Sequence, residues 1–253
     1  MTVYNGAGWV ADAVESIQRQ SLPDFDFVIV NDGSTDATAT ALDRFRGDPR
    51  ITVIDSVRIG RVAALNLALT TVQGDHIANL DADDLAHEDR LATLSGFMGD
   101  HPEVGLVGSA CRFVNVRNDD ERVMRPPTTN QELRSALVRG NPFVHSSVMM
   151  SRPVIDLVGG YDPHMPFVHD LALWVSIAER RTIATVPDVL AVKRLGSHAY
   201  FQSRASWRWR GPEVRTRWRA WRRLTRRPSD LPFVLRPVSD QFLVWARRGR
   251  RRR

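Results

Sequence analysis

Residues 28–38 read VIVNDGSTDAT, a short apolar run followed directly by turn-forming residues. The apolar run predicts a buried strand over residues 26–30, and the Asn-Asp-Gly-Ser group predicts a turn where that strand ends. A helical pattern follows over residues 37–45. A strand, an acidic turn and a helix in this order form one unit of an alternating α/β chain.

The same alternation continues on both sides of this stretch. It predicts an α/β fold with a mostly parallel central sheet flanked by helices. Further helices are expected at residues 9–20, 61–71, 85–98, 130–138 and 170–181, and further strands at 51–54, 76–80, 105–116 and 146–150. By its helical spacing, Trp174 is expected in the core.

Two acidic loops follow predicted strands, where α/β sheets collect ligands. Asp81, Asp83 and Asp84 repel one another, and a hard divalent cation such as Mg²⁺ or Mn²⁺ would remove that cost. Alternatively, Asp84 caps a helix that begins at Leu85. Asp32 leaves a similar choice, since it suits either a turn or a hydrogen bond to a nucleoside.

The charge is divided unequally along the chain. The net charge is +6, yet residues 1–192 hold 16 arginines and 26 acidic residues, whereas residues 193–253 hold 19 basic and 3 acidic residues. An acidic body with a basic extension is therefore expected, divided near residue 198. The single cysteine, Cys111, offers neither an internal disulfide nor a metal cluster.

Nine segments occur in register with family 2 glycosyltransferases, and the chain resembles that family over residues 2–198. They are TVYNGAGWVADAVESIQRQSL (2–22), VIVNDGSTDAT (28–38), GRVAALNLAL (60–69), GDHIANLDADD (74–84), HEDRLATL (87–94), HPEVGLVGS (101–109), NPFVHSSVMMSR (141–152), VGGYD (158–162) and HDLALW (169–174). The resemblance implies a GT-A fold, with a nucleotide-sugar half at about 1–110, an acceptor half at 111–198 and a basic extension at 199–253.

The resemblance also implies an inverting transferase that moves a sugar from a nucleotide-diphospho-sugar to an acceptor hydroxyl. The acceptor would be a glycan or a lipid-linked molecule of the cell envelope. The first turn, with Thr2, Tyr4 and Asn5, would hold the base and ribose together with Asp32.

The family's chemistry falls on four further positions. Asp81 would lie at the ribose and the metal, and Asp83 would bind the divalent cation, Mn²⁺ or Mg²⁺, that bridges the diphosphate. Asp170 occupies the general-base position, although it also suits a helix start. Arg194 would face the diphosphate.

Several residues depart from the family pattern. The usual Glu-Asp pair at the base is His169-Asp170 here, so only the second residue matches. His198 is a candidate ligand. His145, which lies in the matching segment NPFVHSS, is expected to be a packed, hydrogen-bonded histidine.

The first strand is expected to be truncated. Only Met1, Thr2 and Val3 precede the Tyr-Asn turn, whereas a strand typically takes ~5–6 residues. Met1 is thus expected to be an internal methionine of a longer natural chain.

Two other functions fit parts of the sequence. A sugar-1-phosphate nucleotidyltransferase would share the nucleotide-binding sheet, but the turn at residues 5–9 lacks the basic residue that such an enzyme needs. A nucleic-acid-binding protein would explain the arginines of the tail, but the acidic body would repel a phosphate backbone. No nucleic-acid partner is therefore expected.

The tail predicts a peripheral position on the cytoplasmic face of a membrane. Four apolar residues recur at helical spacing among arginines: Val214, Trp218, Trp221 and Leu224. Residues 243–245 read LVW and precede the arginine-rich run at 247–253, a pattern that suits an anionic lipid surface. Alternatively, the tryptophans pack on the catalytic body. Neither a secretion signal nor an apolar run of the ~18 residues needed to span a membrane is found.

Overall fold

β2 (Phe27–Asp32), the strand predicted at residues 26–30, is buried along its whole length and lies at the centre of a parallel sheet. It pairs with β1 (Thr2–Val3) on one side and with β3 (Ile51–Ser56) on the other. The computed structural model describes residues 1–165, 167–196 and 210–235. His198, residues 243–245 and the arginine run at 247–253 lie outside these ranges.

A second, larger sheet carries the rest of the strands in the described residues. Its spatial order is β4-β8-β6-β9-β5, with β7 paired to β6. Its strands are β4 (His76–Ala78), β5 (Leu85–Ala86), β6 (Val104–Asn115), β7 (Glu121–Met124), β8 (Val148–Ser151) and β9 (Thr182–Leu195).

The expectation of a mostly parallel sheet is wrong for this second sheet. Only β6 and β9 run parallel there, and the other pairs are antiparallel. The β6–β7 hairpin makes β7 antiparallel to β6. The helical crossover that follows β7 brings β8 into the sheet in the same direction as β7. β8 therefore enters antiparallel to β6.

The helices cover the faces of both sheets. They are α1 (Val10–Gln18), α2 (Thr38–Asp43), α3 (Arg61–Thr71), α4 (Arg90–Asp100), α5 (Asn130–Arg139), α6 (Arg152–Val158), α7 (His169–Ala178), α8 (Arg210–Ala220) and α9 (Leu231–Val234). The helix predicted at residues 61–71 is confirmed, since α3 begins and ends at those residues. The prediction of a helix from Leu85 is wrong, because Leu85 and Ala86 pair with β9 as strand β5 and the helix starts at Arg90.

The largest apolar cluster joins the second sheet to α3, α5, α6 and α7. Trp174 is fully buried within it, as predicted. In the described residues, no helix is long and apolar enough to cross a membrane.

The segment 210–235 packs on this cluster. Ala220 and Val234 are buried members of it, and Val214, Trp221 and Leu224 lie against it. Asp230 accepts hydrogen bonds from Arg139 on α5. Three of the four apolar residues predicted to face lipid therefore face the body, whereas Trp218 remains 45% exposed.

Candidate functional site

The acidic loop 81–84 lies against the end of β9 because of a short strand pair. β5 follows the loop at once, and its Leu85 pairs with Val192 of β9. This register brings Lys193 and Arg194 to the carboxylates of the loop. Residues more than a hundred positions apart thus meet at one edge of the second sheet.

Asp81 is held by cationic and amide groups. One of its carboxylate oxygens, Oδ1, accepts from Arg61 Nη2 at 2.6 Å and from Asn79 Nδ2 at 3.3 Å, and His145 Nδ1 lies 3.2 Å away. Burial alone raises the pKa of Asp81, but Arg61 and His145 outweigh it and hold the pKa well below its usual value. Asp81 is therefore an anion across the physiological range.

Asp84 is fully buried and faces inward. It accepts from Ser146 Oγ at 2.5 Å and from the Arg194 backbone N–H at 3.1 Å, and Lys193 Nζ lies 3.3 Å away. Burial raises its pKa to about 6, and Lys193 opposes that rise. The alternative that Asp84 caps a helix at Leu85 is wrong, because its carboxylate ties the loop to β9 and to the Ser146 turn.

Arg194 joins three parts of the fold. Its Nε donates to the Asp83 carbonyl at 2.6 Å, and its Nη1 donates to Asp12 at 2.8 Å. Its guanidinium also lies 4.8 Å from the centre of the Trp9 ring. It therefore fixes the acidic loop against the start of α1.

The first turn lies at the other end of the site. Asn5 has a left-handed backbone (φ 52°), which asparagine tolerates better than most residues. Its backbone N–H donates to Ser34 Oγ at 3.0 Å and its Oδ1 accepts from Thr35 N–H at 2.8 Å. Tyr4 is 42% exposed beside this turn, whereas Thr2 is buried in β1.

Asp32 is buried and its carboxylate is occupied by the loop before α3. It accepts from the backbone N–H groups of Ile59 at 2.7 Å and Gly60 at 3.1 Å, and it pairs with Arg58. The Arg58 guanidinium lies 3.7 Å from the centre of the Tyr4 ring. Asp32 therefore fixes the loop at residues 58–60 beside the first turn of the chain.

Residues 58–61 connect the ends of the site. The Gly60 backbone N–H donates a hydrogen bond to Asp32. The next residue, Arg61, is hydrogen-bonded to both Asp81 and His169 of α7. Arg61 Nε donates to His169 Nε2 at 3.4 Å. One short segment thus contacts Asp32, the acidic loop and the helix that carries Asp170.

Asp170 lies in the first turn of α7 and is partly exposed. Its Oδ2 accepts from Asn141 Nδ2 at 2.7 Å, and its Oδ1 accepts from the Leu171 N–H at 2.7 Å. These two hydrogen bonds hold the carboxylate at the start of α7.

His145 is buried and hydrogen-bonded, as predicted. Its Nε2 lies 2.8 Å from the Tyr161 hydroxyl, and its Nδ1 lies 2.9 Å from Asn79 Nδ2. It forms the floor beneath the acidic loop.

The acidic loop has the donor set of a hard divalent cation. One ligand oxygen from each of Asp81, Asp83 and Asp84 lies within 4.8 Å of the others. Oxygen atoms so spaced can share one ion, since Mg²⁺ and Mn²⁺ favour carboxylate ligands and complete their shells with water or phosphate. These residues therefore fit the group that the sequence implied.

Comparison with known proteins identifies the family. The family described as Glycosyl transferase family 2 matches residues 1–157, more than half of the chain. The chain belongs to glycosyl transferase family 2. This family 2 glycosyltransferase is 28% identical over 204 residues to the amylovoran biosynthesis glycosyltransferase AmsE of Erwinia amylovora, covering 79% of this chain and 76% of AmsE. It is 26% identical over 249 residues to the putative glycosyltransferase EpsE of Bacillus subtilis, covering 96% of this chain and 88% of EpsE.

Solved structures show the same fold. S. aureus TarS 1-349 in complex with UDP-GlcNAc superposes with a TM-score of 0.71 at 16% identity, covering 85% of this chain and 63% of that one. The mannosyltransferase PcManGT from Pyrobaculum calidifontis, in complex with GDP-Man and Mn²⁺, gives 0.64 at 24% identity, covering 92% and 66%. The chain of the glycosyltransferase thus spans less than two thirds of both solved chains, and the expected GT-A fold is confirmed.

Sequence reasoning missed four residues of the site. Arg61, Lys193, Asn141 and Ser146 all contact the acidic loop or Asp170. Arg61 had one available signal, since it is the first residue of α3 and follows Gly60. Lys193 is brought in by the pairing of β9 with β5, which no local pattern shows. Asn141 and Ser146 lie in the matched segment at 141–152, but their contacts with Asp170 and Asp84 depend on the fold.

Proposed function

We propose that this glycosyltransferase moves a sugar, with inversion, from a nucleotide-diphospho-sugar to an acceptor hydroxyl, and that it uses a divalent cation. The observation that carries the proposal is the segment 58–61. Its contacts with Asp32, Asp81 and His169 tie a nucleoside end, an acidic loop and the start of α7 into one network. A donor that spans those ends would present its sugar near Asp170.

The nucleoside end would be built by Thr2, Tyr4, Asn5 and Asp32. Tyr4 offers an exposed ring for a base, and Asn5 holds the turn that presents the ring. Thr2 would support this end as part of strand β1. Asp32 would support it by anchoring the loop at residues 58–60.

The diphosphate end would be built by Asp81, Asp83 and Arg194. Asp81 and Asp83 would hold Mn²⁺ or Mg²⁺, which when bound neutralises the diphosphate leaving group. Arg194 fixes Asp83 through its backbone carbonyl and adds positive charge at this end.

Asp170 would act as the general base. It would take the proton from the acceptor hydroxyl as that oxygen attacks the sugar. Asn141 holds Oδ2 of this carboxylate in place through a hydrogen bond of 2.7 Å.

The product is proposed to be an envelope or extracellular polysaccharide or a glycolipid. AmsE, a curated relative, is named for amylovoran biosynthesis. None of the relatives or structures named above supports the nucleotidyltransferase or the nucleic-acid-binding alternative.

Donor hydrolysis tests the proposal. UDP-, GDP- and TDP-sugars would be incubated with the protein, with Mn²⁺ or with EDTA, and release of the nucleoside diphosphate measured. Release from one donor class that depends on the metal supports the proposal. Absence of release from every donor, with and without an added glycan acceptor, would contradict it.

The Asp170→Asn variant tests the base. Its rate of sugar transfer should fall by roughly 10²-fold or more, because the amide cannot accept the acceptor's proton. Donor affinity, measured by calorimetry, should be unchanged. Asp156→Asn on the exposed face of α6 is the matched control and should keep its rate. If donor affinity falls together with the rate, Asp170 has a structural role instead.

A peripheral position on the cytoplasmic face of a membrane is also proposed. The support is the basic composition of the tail and the exposure of Trp218, Leu231 and Leu235 on the segment 210–235. A lipid-linked acceptor would be reached easily from that position. Flotation with vesicles tests it, as set out in the Discussion.

A further inference from the structure

Lys193 is the only lysine in a chain that otherwise uses arginine for its basic residues. It lies near the end of β9 and is 26% exposed. An ammonium is a compact, strongly hydrated charge on a flexible stem, whereas a guanidinium is a planar fork. We therefore ask what surrounds this one ammonium group, in a chain whose other 34 basic residues are arginines.

The ammonium lies among the carboxylates of the acidic loop. Lys193 Nζ is 3.3 Å from Asp84 Oδ2 and 3.8 Å from Asp81 Oδ2. A lysine side chain ordinarily keeps its proton far above neutral pH, with a pKa of about 10.4. The group is therefore a fixed cation at neutral pH.

The two carboxylates that Lys193 contacts belong to the same group that fits a divalent cation. Asp81 and Asp84 are both members of that three-carboxylate group. Two cations a few ångströms apart repel strongly in a partly buried site, because water screens their charges only weakly there. A metal ion and the ammonium cannot both occupy this space at low cost.

Arg61 does not have the same relation to the loop. It contacts the other oxygen of Asp81, Oδ1, and is also bonded to His169. Lys193 approaches Oδ2 of both carboxylates on a stem that can move. Of these two side chains, Lys193 is therefore the one that a metal ion can displace more easily.

We propose that Lys193 is a tethered counter-ion of the acidic loop, which a divalent cation must displace in order to bind. The inference rests on the proposed function, because it concerns the metal of that site. In the absence of metal the ammonium offsets the repulsion among the carboxylates and keeps the loop folded. Asp81, Asp83 and Asp84 would hold the divalent cation, and the Lys193 ammonium would then give up its contacts with Asp84 and Asp81.

Metal binding without donor tests the proposal directly. The affinity for Mn²⁺ would be measured by the loss of the free-ion signal in electron paramagnetic resonance, for the wild type, Lys193→Met and Lys193→Arg. Lys193→Met should bind Mn²⁺ at least tenfold more tightly, because the competing charge is gone. Lys193→Arg keeps the charge and should stay close to the wild type.

Arg44→Met is the matched control. It also removes one positive charge, at an exposed pair with Glu15 of α1, and should leave Mn²⁺ affinity unchanged because Arg44 contacts none of the three carboxylates in the described residues. Unchanged or weaker binding by Lys193→Met, with the wild type still binding, would overturn the counter-ion role and leave the proposed function standing. Failure of both proteins to bind Mn²⁺ would overturn the metal of the proposed function, and the counter-ion role with it.

A second measurement uses the unaltered backbone and so does not depend on how the variants fold. Reductive methylation with ¹³C-formaldehyde labels Lys193 and keeps its charge. On addition of Mg²⁺ the Lys193 methyl signal should shift and saturate with the ion. A Lys193 signal that stays in place while Mg²⁺ binds would contradict displacement.

Discussion

Asp32 illustrates how a residue can be identified from sequence while its way of acting is not. Its position after a buried strand predicted either a turn or a nucleoside contact. In the structure the Asp32 carboxylate accepts hydrogen bonds from the backbone N–H groups of Ile59 and Gly60. Gly60 has a positive φ of 92°. The local sequence could not show this partner, because the loop at 58–60 is distant in the chain.

Asp83 should be needed for metal-dependent turnover. Asp83→Ala removes a carboxylate from a crowded acidic group without opening a core cavity, so the melting temperature should be kept. Donor hydrolysis in the presence of Mn²⁺ should fall to the level of the wild type in EDTA.

Asp188→Ala, on an exposed part of β9, is the control for Asp83→Ala. Full activity of Asp83→Ala in the presence of Mn²⁺, or wild-type activity unaffected by EDTA, would contradict the role of Asp83 as a metal ligand.

His169 should make the fold sensitive to mild acid. Burial lowers its pKa from 6.5 to about 4, although the neighbouring Asp170 opposes this, and Arg61 and His145 add to it. Between these values the unfolded chain binds a proton that the folded chain does not, so stability is lost as the pH falls from 6.5 to 4. The difference in unfolding free energy between wild type and His169→Gln, from urea titrations, should be flat above pH 7.

Below pH 7 that difference should change, with the wild type losing stability relative to His169→Gln. Asp84 acts in the opposite direction in the same range, because its pKa is raised to about 6 and its protonated form is favoured by the fold. Subtracting the two titrations cancels the contribution of Asp84. A difference that stays constant down to pH 4 would contradict the buried, neutral state of His169.

At the scale of elements, local pattern predicts helices well where the chain has a clear start. α3 begins directly after Gly60 and keeps its apolar spacing to Thr71. The pattern fails after the acidic loop, where a helix was expected from Leu85. There, pairing of Leu85 with β9 outweighs helical spacing, and strand pairing over such a distance leaves no trace in a local window.

The contact between α5 and the turn at residues 228–230 should hold the segment 210–235 in place. Asp230 is fully buried and accepts from Arg139 and Ser135. Asp230→Ala should lower the free energy of unfolding by about 1–3 kcal/mol, because buried donors lose their partner. The measurements are urea unfolding and limited proteolysis, which should cut within 210–235 more readily.

Glu121→Ala is the comparison for Asp230→Ala. It breaks a half-exposed pair with Arg112 at 3.6 Å and should cost less than about 1 kcal/mol. Equal losses in the two variants would show that Asp230 does not fix the segment.

For the molecule as a whole, composition predicted an acidic body and a basic extension. The sequence left open whether the apolar residues of the extension meet lipid or the body, and Val214, Trp221 and Leu224 lie on the body. That outcome depends on the apolar face that α5 and α7 present, which no local pattern of the tail contains. The division of the chain at residue 198 stays a prediction.

Membrane attachment is expected to depend on the last residues of the chain. Residues 236–253 hold seven arginines, and each basic residue near anionic lipid contributes about 1 kcal/mol. The full chain should float with anionic vesicles at low salt, and a chain ending at Leu235 should not. Neutral vesicles and high salt are the controls, and both should abolish flotation.

Ending at Leu235 keeps Ala220 and Val234 in the core, so a loss of flotation would not come from unfolding. Equal flotation of both chains would show that lipid contact lies outside residues 236–253. Absence of flotation by both would contradict the proposed membrane attachment.

The docking of residues 210–235 has a consequence for how the protein is made. Ribosomes release a chain from its N-terminus, and the strands and helices up to residue 196 are available before this segment emerges. The face of α5 and α7 that receives Ala220 and Val234 therefore stays uncovered until late in translation. During that interval the nascent protein offers chaperones an apolar surface that the finished molecule conceals.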